Sequence, residues 1–245
     1  MEVVLTIAGS DSSAGAGIQQ DLKTITALGC YGATVITAIT SQNTLGVQSS
    51  MTVPPSVVAS QMSAVLTDLE PRAIKIGMLS DQAVAEVVVE VLRDYLHSHS
   101  AVVVYDPVMV STSGYLLMED DAINYITERL FPLCTLITPN MPEAERLSST
   151  LSRYTYLLKG GHAESNIMTD VLHTPDGLTV EFSVPRIATR NLHGTGCTLS
   201  SAIAAYLAKG SSMQEAIRLA KDFVTAAISR SLDHNIGHGN GPLIV

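Results

Sequence analysis

His193-Gly194-Thr195-Gly196-Cys197-Thr198 stands directly before a run of small and apolar residues. Two glycines let the backbone turn tightly and approach a ligand. The amides that open the following helix then point at whatever lies in front of it. Such a site suits a phosphate, or the charge developing on a transferring phosphoryl group. An ordinary glycine-rich turn carries the same letters, because short Gly-x-Gly patterns are common. Cys197 is expected at the first or second position of that helix, where the dipole stabilises a thiolate able to act as base or nucleophile. A small cysteine packed under the loop is the alternative.

Two carboxylates form a second constellation. Asp106 ends a buried strand, and Glu143 follows another in Asn140-Met141-Pro142-Glu143. Carboxylates at neighbouring strand ends can hold Mg²⁺ through its waters, which suits a cation that dehydrates reluctantly. Glu143 is also a natural first-turn acid, and Asp106 a natural turn residue before Pro107. Lys159-Gly160-Gly161-His162 places a lysine at a strand end with room around it, able to meet a nucleotide phosphate as a point charge. A solvated lysine before a turn reads the same way, and His162 reads as structural. Ala14-Gly15-Ala16-Gly17 opens a helix after the first strand but is not G-x-G-x-x-G. No acid follows at the right later position, so a nicotinamide cofactor is rejected. Asp21 lies about one turn into that helix, where it can face the site or solvent.

The elements that must hold these residues alternate. Apolar strands are expected at 3–8, 34–39, 73–76, 101–105, 135–138 and 154–158, with a hairpin at 170–173 and 178–183. Amphipathic helices are expected at 18–28, 54–69, from Asp81 to about Leu96, 120–130, from Pro142, 198–208 and 213–232. Alternation of this kind predicts an α/β fold, a mainly parallel sheet with helices on both faces. Ligands then sit beyond the carboxyl ends of the strands. The residues after each strand are Gly9-Ser10-Asp11, Thr40 to Asn43, Gly77-Met78, Asp106 to Met109, Pro139-Asn140 and Lys159-Gly160. Glycine and polar residues collect at that one edge.

Composition narrows the function. The 245 residues are expected to form one domain, with 46% hydrophobic and 15% charged residues supporting a large core. Lys and Arg number 14 against 23 Asp and Glu, a net charge of −9. That argues against nucleic acid or an anionic membrane as partner, but local backbone dipoles can still hold a phosphorylated ligand. No apolar run is long enough to span a bilayer, and MEVVLTIAGSD lacks a basic leader start. Cys30, Cys134 and Cys197 show no disulfide or metal spacing, as expected for a cytoplasmic chain.

Together the motifs resemble the ribokinase superfamily, and within it the hydroxymethylpyrimidine/phosphomethylpyrimidine kinases of thiamine biosynthesis. The resemblance is carried by residues 6–19, 21–24 and 35–38, and by Gln42-Asn43-Thr44, Lys75-Ile76-Gly77-Met78-Leu79, Asp106-Pro107-Val108-Met109 and Thr138-Pro139-Asn140. Lys159-Gly160-Gly161-His162 and residues 193–200 complete it, in the family's order over nearly the whole chain. It implies a three-layer α/β/α sandwich and an ATP-dependent, Mg²⁺-requiring kinase. The substrates implied are 4-amino-5-hydroxymethyl-2-methylpyrimidine and its monophosphate. By motif, Gly9, Asp21, Gln42 and Met78 contact the pyrimidine and Val108 walls its pocket. Gly194, Thr195, Gly196 and Cys197 form the anion hole, with Cys197 helping to orient or deprotonate the hydroxyl. Lys159, Asn140, Thr195 and Gly196 meet ATP, and Asp106 and Glu143 organise Mg²⁺. Family analogy also implies a homodimer; residues 44–52, a β-branched stretch, read as a small flap or sheet near the interface.

Two departures stand out. Ser111-Thr112-Ser113-Gly114 lacks the lysine many relatives carry in a loop that closes over the site. The stretch between Pro139 and Tyr154 is short, with room for only a short helix. The alternatives weighed are a pyridoxal kinase, whose substrate is also a flat heteroaromatic with a hydroxymethyl arm, and a non-catalytic nucleotide or pyrimidine sensor. A cysteine hydrolase is disfavoured because no His/Asn partner pattern accompanies Cys197.

Overall fold

The computed structural model describes residues 1–110, 114, 117–118, 120–160 and 166–245. The expected lid residues Ser111 to Ser113, together with Gly161 and His162, lie outside the described residues. Nine described strands form one sheet in the order β3-β2-β1-β4-β5-β6-β7-β8-β9. They are β1 Val3–Asp11, β2 Tyr31–Asn43, β3 Gly46–Thr52, β4 Ala73–Ile76, β5 Val102–Tyr105, β6 Leu136–Ile137, β7 Tyr156–Leu158, β8 Ile167–His173 and β9 Thr179–Pro185. From β2 through β7 neighbouring strands are parallel. The hairpin strand β3 and the last two strands run antiparallel. Of the flap or sheet expected at 44–52, the sheet forms: Gly46–Thr52 adds an edge strand.

Seven described helices cover the sheet: α1 Gly17–Ala27, α2 Pro55–Leu69, α3 Gln82–Ser98, α4 Asp120–Tyr125, α5 Met141–Leu151, α6 Thr195–Ala208 and α7 Met213–Arg230. After α4 the chain continues through a π-helical turn at Ile126–Leu130. The eleven residues of α5 fill the short crossover after Pro139. Strand side chains alternate between faces. Leu5, Ile7, Ile74, Ile76, Val103 and Ile137 pack against α2 to α5. Val4, Ala73, Val104 and Leu136 pack against α1, α6 and α7. These are the three layers the sequence predicts.

The second face carries a pattern that places the chemistry. Two residues beyond Val4, Ala73, Val104 and Leu136 come Thr6, Lys75, Asp106 and Thr138, all buried. Period two puts each polar residue on the same face as its apolar predecessor, one step nearer the carboxyl edge. An apolar layer under α6 therefore gives way to a polar layer just below the strand ends. Three hydroxyls of α6 reach into that layer. Thr198 accepts from Gln20 Nε2 at 3.0 Å, Ser200 donates to Asp106 at 3.4 Å, and Ser201 donates to Asp21 at 2.7 Å. The start of α6 is thereby pinned to α1 and to the end of β5.

Candidate active site

A cavity of about 620 Å³ opens at the carboxyl edge, where β1 and β4 lie side by side although the chain makes β2 and β3 between them. That is the switch point at which parallel sheets bind ligands, and the volume is in the range of small-molecule sites. Gly9, Gln42, Met78 and Val108 line one part of it, and Asn140, Glu143, Lys159 and Gly194 to Cys197 line another. Asp106 lines it beside Lys159 and Gly196.

Helix α6 begins at Thr195, three residues earlier than the sequence predicts, with Gly194 as its N-cap at φ +87° and no capping side chain. The Thr195 amide turns back to the Leu192 carbonyl at 3.3 Å, and the Thr198 amide opens the helical ladder on the Gly194 carbonyl at 2.8 Å. Between them, the amides of Gly196 and Cys197 have no backbone acceptor among the described residues, leaving two donors for an anion. A methyl at Gly196 would sit 3.5 Å from Asp106 Oδ2 and 3.6 Å from Lys159 Nζ, so the ion pair lies directly before this first turn.

Lys159 Nζ donates to Asp106 Oδ1 at 2.6 Å, and Thr138 Oγ1 donates to the same oxygen at 3.1 Å. Burial would raise the Asp106 carboxyl, but Lys159 and Lys75 hold it below the usual range. Glu143 behaves oppositely. It completes a capping box with Asn140, accepting the Asn140 amide at 2.8 Å while Asn140 Oδ1 accepts the Glu143 amide at 2.9 Å. The first-turn reading of Glu143 holds, and this helix-capping acid also lines the cavity. Burial and the Asp106 charge push it up to about 7, against the pull of Lys159. Between pH 4.5, its ordinary value, and about 7, the folded chain keeps a proton that the unfolded chain has released. Stability therefore falls as pH rises through that window. Glu143→Gln keeps the capping geometry and removes the penalty. Its melting temperature is expected to exceed wild type by a few degrees at pH 8, with the gap closing near pH 4.5. A variant less stable than wild type at pH 8 would refute the assignment.

Cys197 is the third residue of α6, one place beyond the expected range. The expected stabilised thiolate is corrected as well. Burial pushes the thiol up to about 11, with Asp21 and Asp106 adding to the effect, and the opposing pull of Lys75 and the Gly17 amide does not offset it. Alkylation of Cys197 by iodoacetamide, followed site by site by peptide mass spectrometry, should accelerate with pH toward that midpoint. A midpoint at or below about 8 would contradict the burial argument.

Asp21 needs a second correction, because it does not line the cavity. It is fully buried, and its oxygens accept from Thr6 at 2.6 Å, Lys75 at 3.0 and 2.8 Å, and Ser201 at 2.7 Å. The group that reaches the cavity floor is Lys75. Burial would lower the Lys75 ammonium, but Asp21 holds it above its ordinary range. Sequence reasoning assigned Lys75 no role. Its signal was a charge inside Ala73-Ile74-Lys75-Ile76, a strand otherwise apolar.

Asp11 and His193 were also unassigned. Asp11 accepts from the amides of Ser13, Gly15 and Ala16 at 2.8, 3.2 and 2.9 Å, and lies 2.8 Å from His193 Nε2. Burial would raise its carboxyl, but His193 and Ser13 hold it down. This pair ties the turn before α1 to the turn before α6. The Gln42 carboxamide is 3.2 Å from the same histidine nitrogen, so a wall residue of the pocket is fixed by it too.

Comparison with known proteins places the chain in a family. The phosphomethylpyrimidine kinase family matches residues 11–244. The hydroxymethylpyrimidine/phosphomethylpyrimidine kinase of Rhizobium meliloti is 46% identical over 98% of this chain and 96% of its own length. The thiamine biosynthesis bifunctional protein ThiED of Geobacter sulfurreducens is 45% identical over 98% of this chain, which spans 51% of that protein. Among solved structures, phosphomethylpyrimidine kinase from Clostridium difficile 630 superposes with a TM-score of 0.80 at 40% identity, covering 93% of this chain and 100% of that one. The pyridoxal kinase from Staphylococcus aureus in complex with AMP-PCP and pyridoxal reaches 0.87 at 30% identity, covering 99% and 93%.

Proposed function

The chain belongs to the phosphomethylpyrimidine kinase family, and from that premise we propose that its cavity binds ATP beside 4-amino-5-hydroxymethyl-2-methylpyrimidine. The γ-phosphoryl group passes first to that alcohol and then, in a second round, to its monophosphate. The observation that carries this reading is the uncapped start of α6 lying against the Lys159–Asp106 pair at the cavity. Phosphoryl transfer through a loose transition state needs positioning and charge neutralisation above all. The Gly196 and Cys197 amides meet the charge on the transferring group, and Lys159 swings from Asp106 to a phosphate as a point charge. Gln42, Met78 and Val108 hold the ring at the other end. Burial keeps Cys197 a neutral thiol at physiological pH in the free protein, so it orients the hydroxyl by hydrogen bonding, and the hydroxyl proton leaves late in transfer to an oxygen of the transferred phosphoryl group.

The donor set fits Mg²⁺. Asp106 and Glu143 are hard oxygen ligands, and no group of three His, Cys, Asp or Glu that could hold a metal exists among the described residues. Two carboxylates suit an ion that keeps several waters and takes the rest of its ligands from substrate phosphates. When bound, it neutralises phosphate charge. We further propose one domain spanning residues 1–245, acting as a cytoplasmic homodimer. Supporting a self-association face, Ile39 and Met51 pair across β2 and β3 and are 47% and 60% exposed. No helix among the described residues is long and apolar enough to cross a membrane.

An ADP-release assay with Mg-ATP, comparing hydroxymethylpyrimidine, its monophosphate and pyridoxal, with product masses, tests the proposal. ADP with both pyrimidines is expected. Turnover of the free alcohols but not the monophosphate would favour a pyridoxal or salvage kinase, the reading the Staphylococcus aureus likeness keeps alive. Silence with all acceptors from protein that still binds ATP would point to a sensor.

A further inference from the structure

Behind Lys159 sits a further buried ion pair that no step above uses. Asp170 on β8 accepts from Lys221 Nζ on α7 at 2.6 Å through Oδ2, and both side chains are about nine-tenths buried. Its other oxygen accepts the Gly160 amide at 2.9 Å. Gly160 directly follows Lys159, whose own amide donates to the Pro139 carbonyl at 2.9 Å. The backbone of Lys159 is therefore held by hydrogen bonds on both sides.

The register explains why a carboxylate stands there. The ladder between β7 and β8 ends at Leu158 opposite Val171. Two residues further, at Gly160, the chain presses so close to β8 that a Cβ would overlap the Thr169 carbonyl oxygen. The amide there has left the strand ladder and needs another acceptor. The Asp170 side chain supplies it, and Lys221 supplies the counter-charge that a buried carboxylate requires. A buried ion pair contributes little net stability compared with an apolar pair of like size. Its specific gain here is the fixed turn.

We infer that Asp170, with Lys221, is a positioning residue for the nucleotide: it fixes the Lys159–Gly160 turn so that the Lys159 ammonium stays at the cavity. The inference rests on the reading of Lys159 as a phosphate contact. It is tested by measuring KM for ATP and for the pyrimidine separately in three variants, with thermal melts to verify folding. Lys159→Met tests the underlying reading and is expected to raise KM for ATP. Asp170→Asn with Lys221→Met removes the charges but keeps an acceptor for Gly160. Asp170→Val with Lys221→Met removes the acceptor too. The Val double variant is expected to have a KM for ATP about fivefold above the Asn double variant, the size of one net hydrogen bond. KM for the pyrimidine should differ by less than about twofold. If the Val double variant does not fold, Asp170→Ser with Lys221→Met replaces it, since its hydroxyl is too short to reach the amide. Equal KM values for ATP in the two double variants, with Lys159→Met still impaired, would overturn the inference alone. An unchanged KM for ATP in Lys159→Met would overturn the Lys159 reading and the inference with it.

Discussion

Gly194→Ala is expected to cut turnover by about 10²- to 10³-fold, the loss typical when one oxyanion-type donor is removed. Gly194 caps α6 in the left-handed region at φ +87°. Alanine there costs about 1–2 kcal/mol in backbone strain. A Cβ would also overlap the Gly15 carbonyl oxygen, so the turn before α1 and the turn before α6 would have to part. The Gly196 and Cys197 amides would then no longer point at one place. Folding should survive, because α6 stays anchored by Thr198, Ser200 and Ser201 further along. The measurement is steady-state ADP release at saturating ATP, with circular dichroism as a control on folding. A folded variant with full turnover would remove the helix start from the mechanism.

Lys75→Met should destabilise the protein by about 3–5 kcal/mol, the usual cost of removing one partner from a buried ion pair. Lys75 and Asp21 are both fully buried and joined by two hydrogen bonds, at 3.0 and 2.8 Å. Methionine fills the volume but leaves the Asp21 carboxylate with only the hydroxyls of Thr6 and Ser201. Adding Asp21→Asn should recover most of the loss, because the uncompensated charge disappears, one hydroxyl keeps the carboxamide oxygen as acceptor and the other can turn to accept from its NH2. Urea unfolding of the two variants checks this. A single-variant loss below about 1 kcal/mol would mean that water or rearrangement already compensates the charge.

Asp21 and Lys75 also show where sequence reading stops. An acid one turn into a helix behind a glycine-rich turn can face a site or solvent, and the family resemblance makes Asp21 a ligand contact. What settles its role is Lys75, 54 residues away, and Ser201, 180 residues away. The signal existed in parts. Thr6, Lys75, Asp106 and Thr138 each come two places after an apolar strand residue. Without knowing that β1, β4, β5 and β6 are neighbours, nothing marks them as one layer. Asp11 and His193 meet across 182 residues for the same reason.

From its sequence alone this chain's layer architecture, the edge that carries the cavity and much of the cavity wall could be determined. Local rules govern those features. Period-two strands, amphipathic helices and glycine-rich turns are written in neighbouring residues, and a parallel sheet must collect its strand ends at one edge. Protonation and pairing were decided only by the tertiary structure. Burial, not the helix dipole, sets the Cys197 thiol, and burial with Asp106 raises Glu143. Desolvation and pair formation depend on what distant segments bring to a side chain, and that is a property of the folded packing rather than of any stretch of sequence.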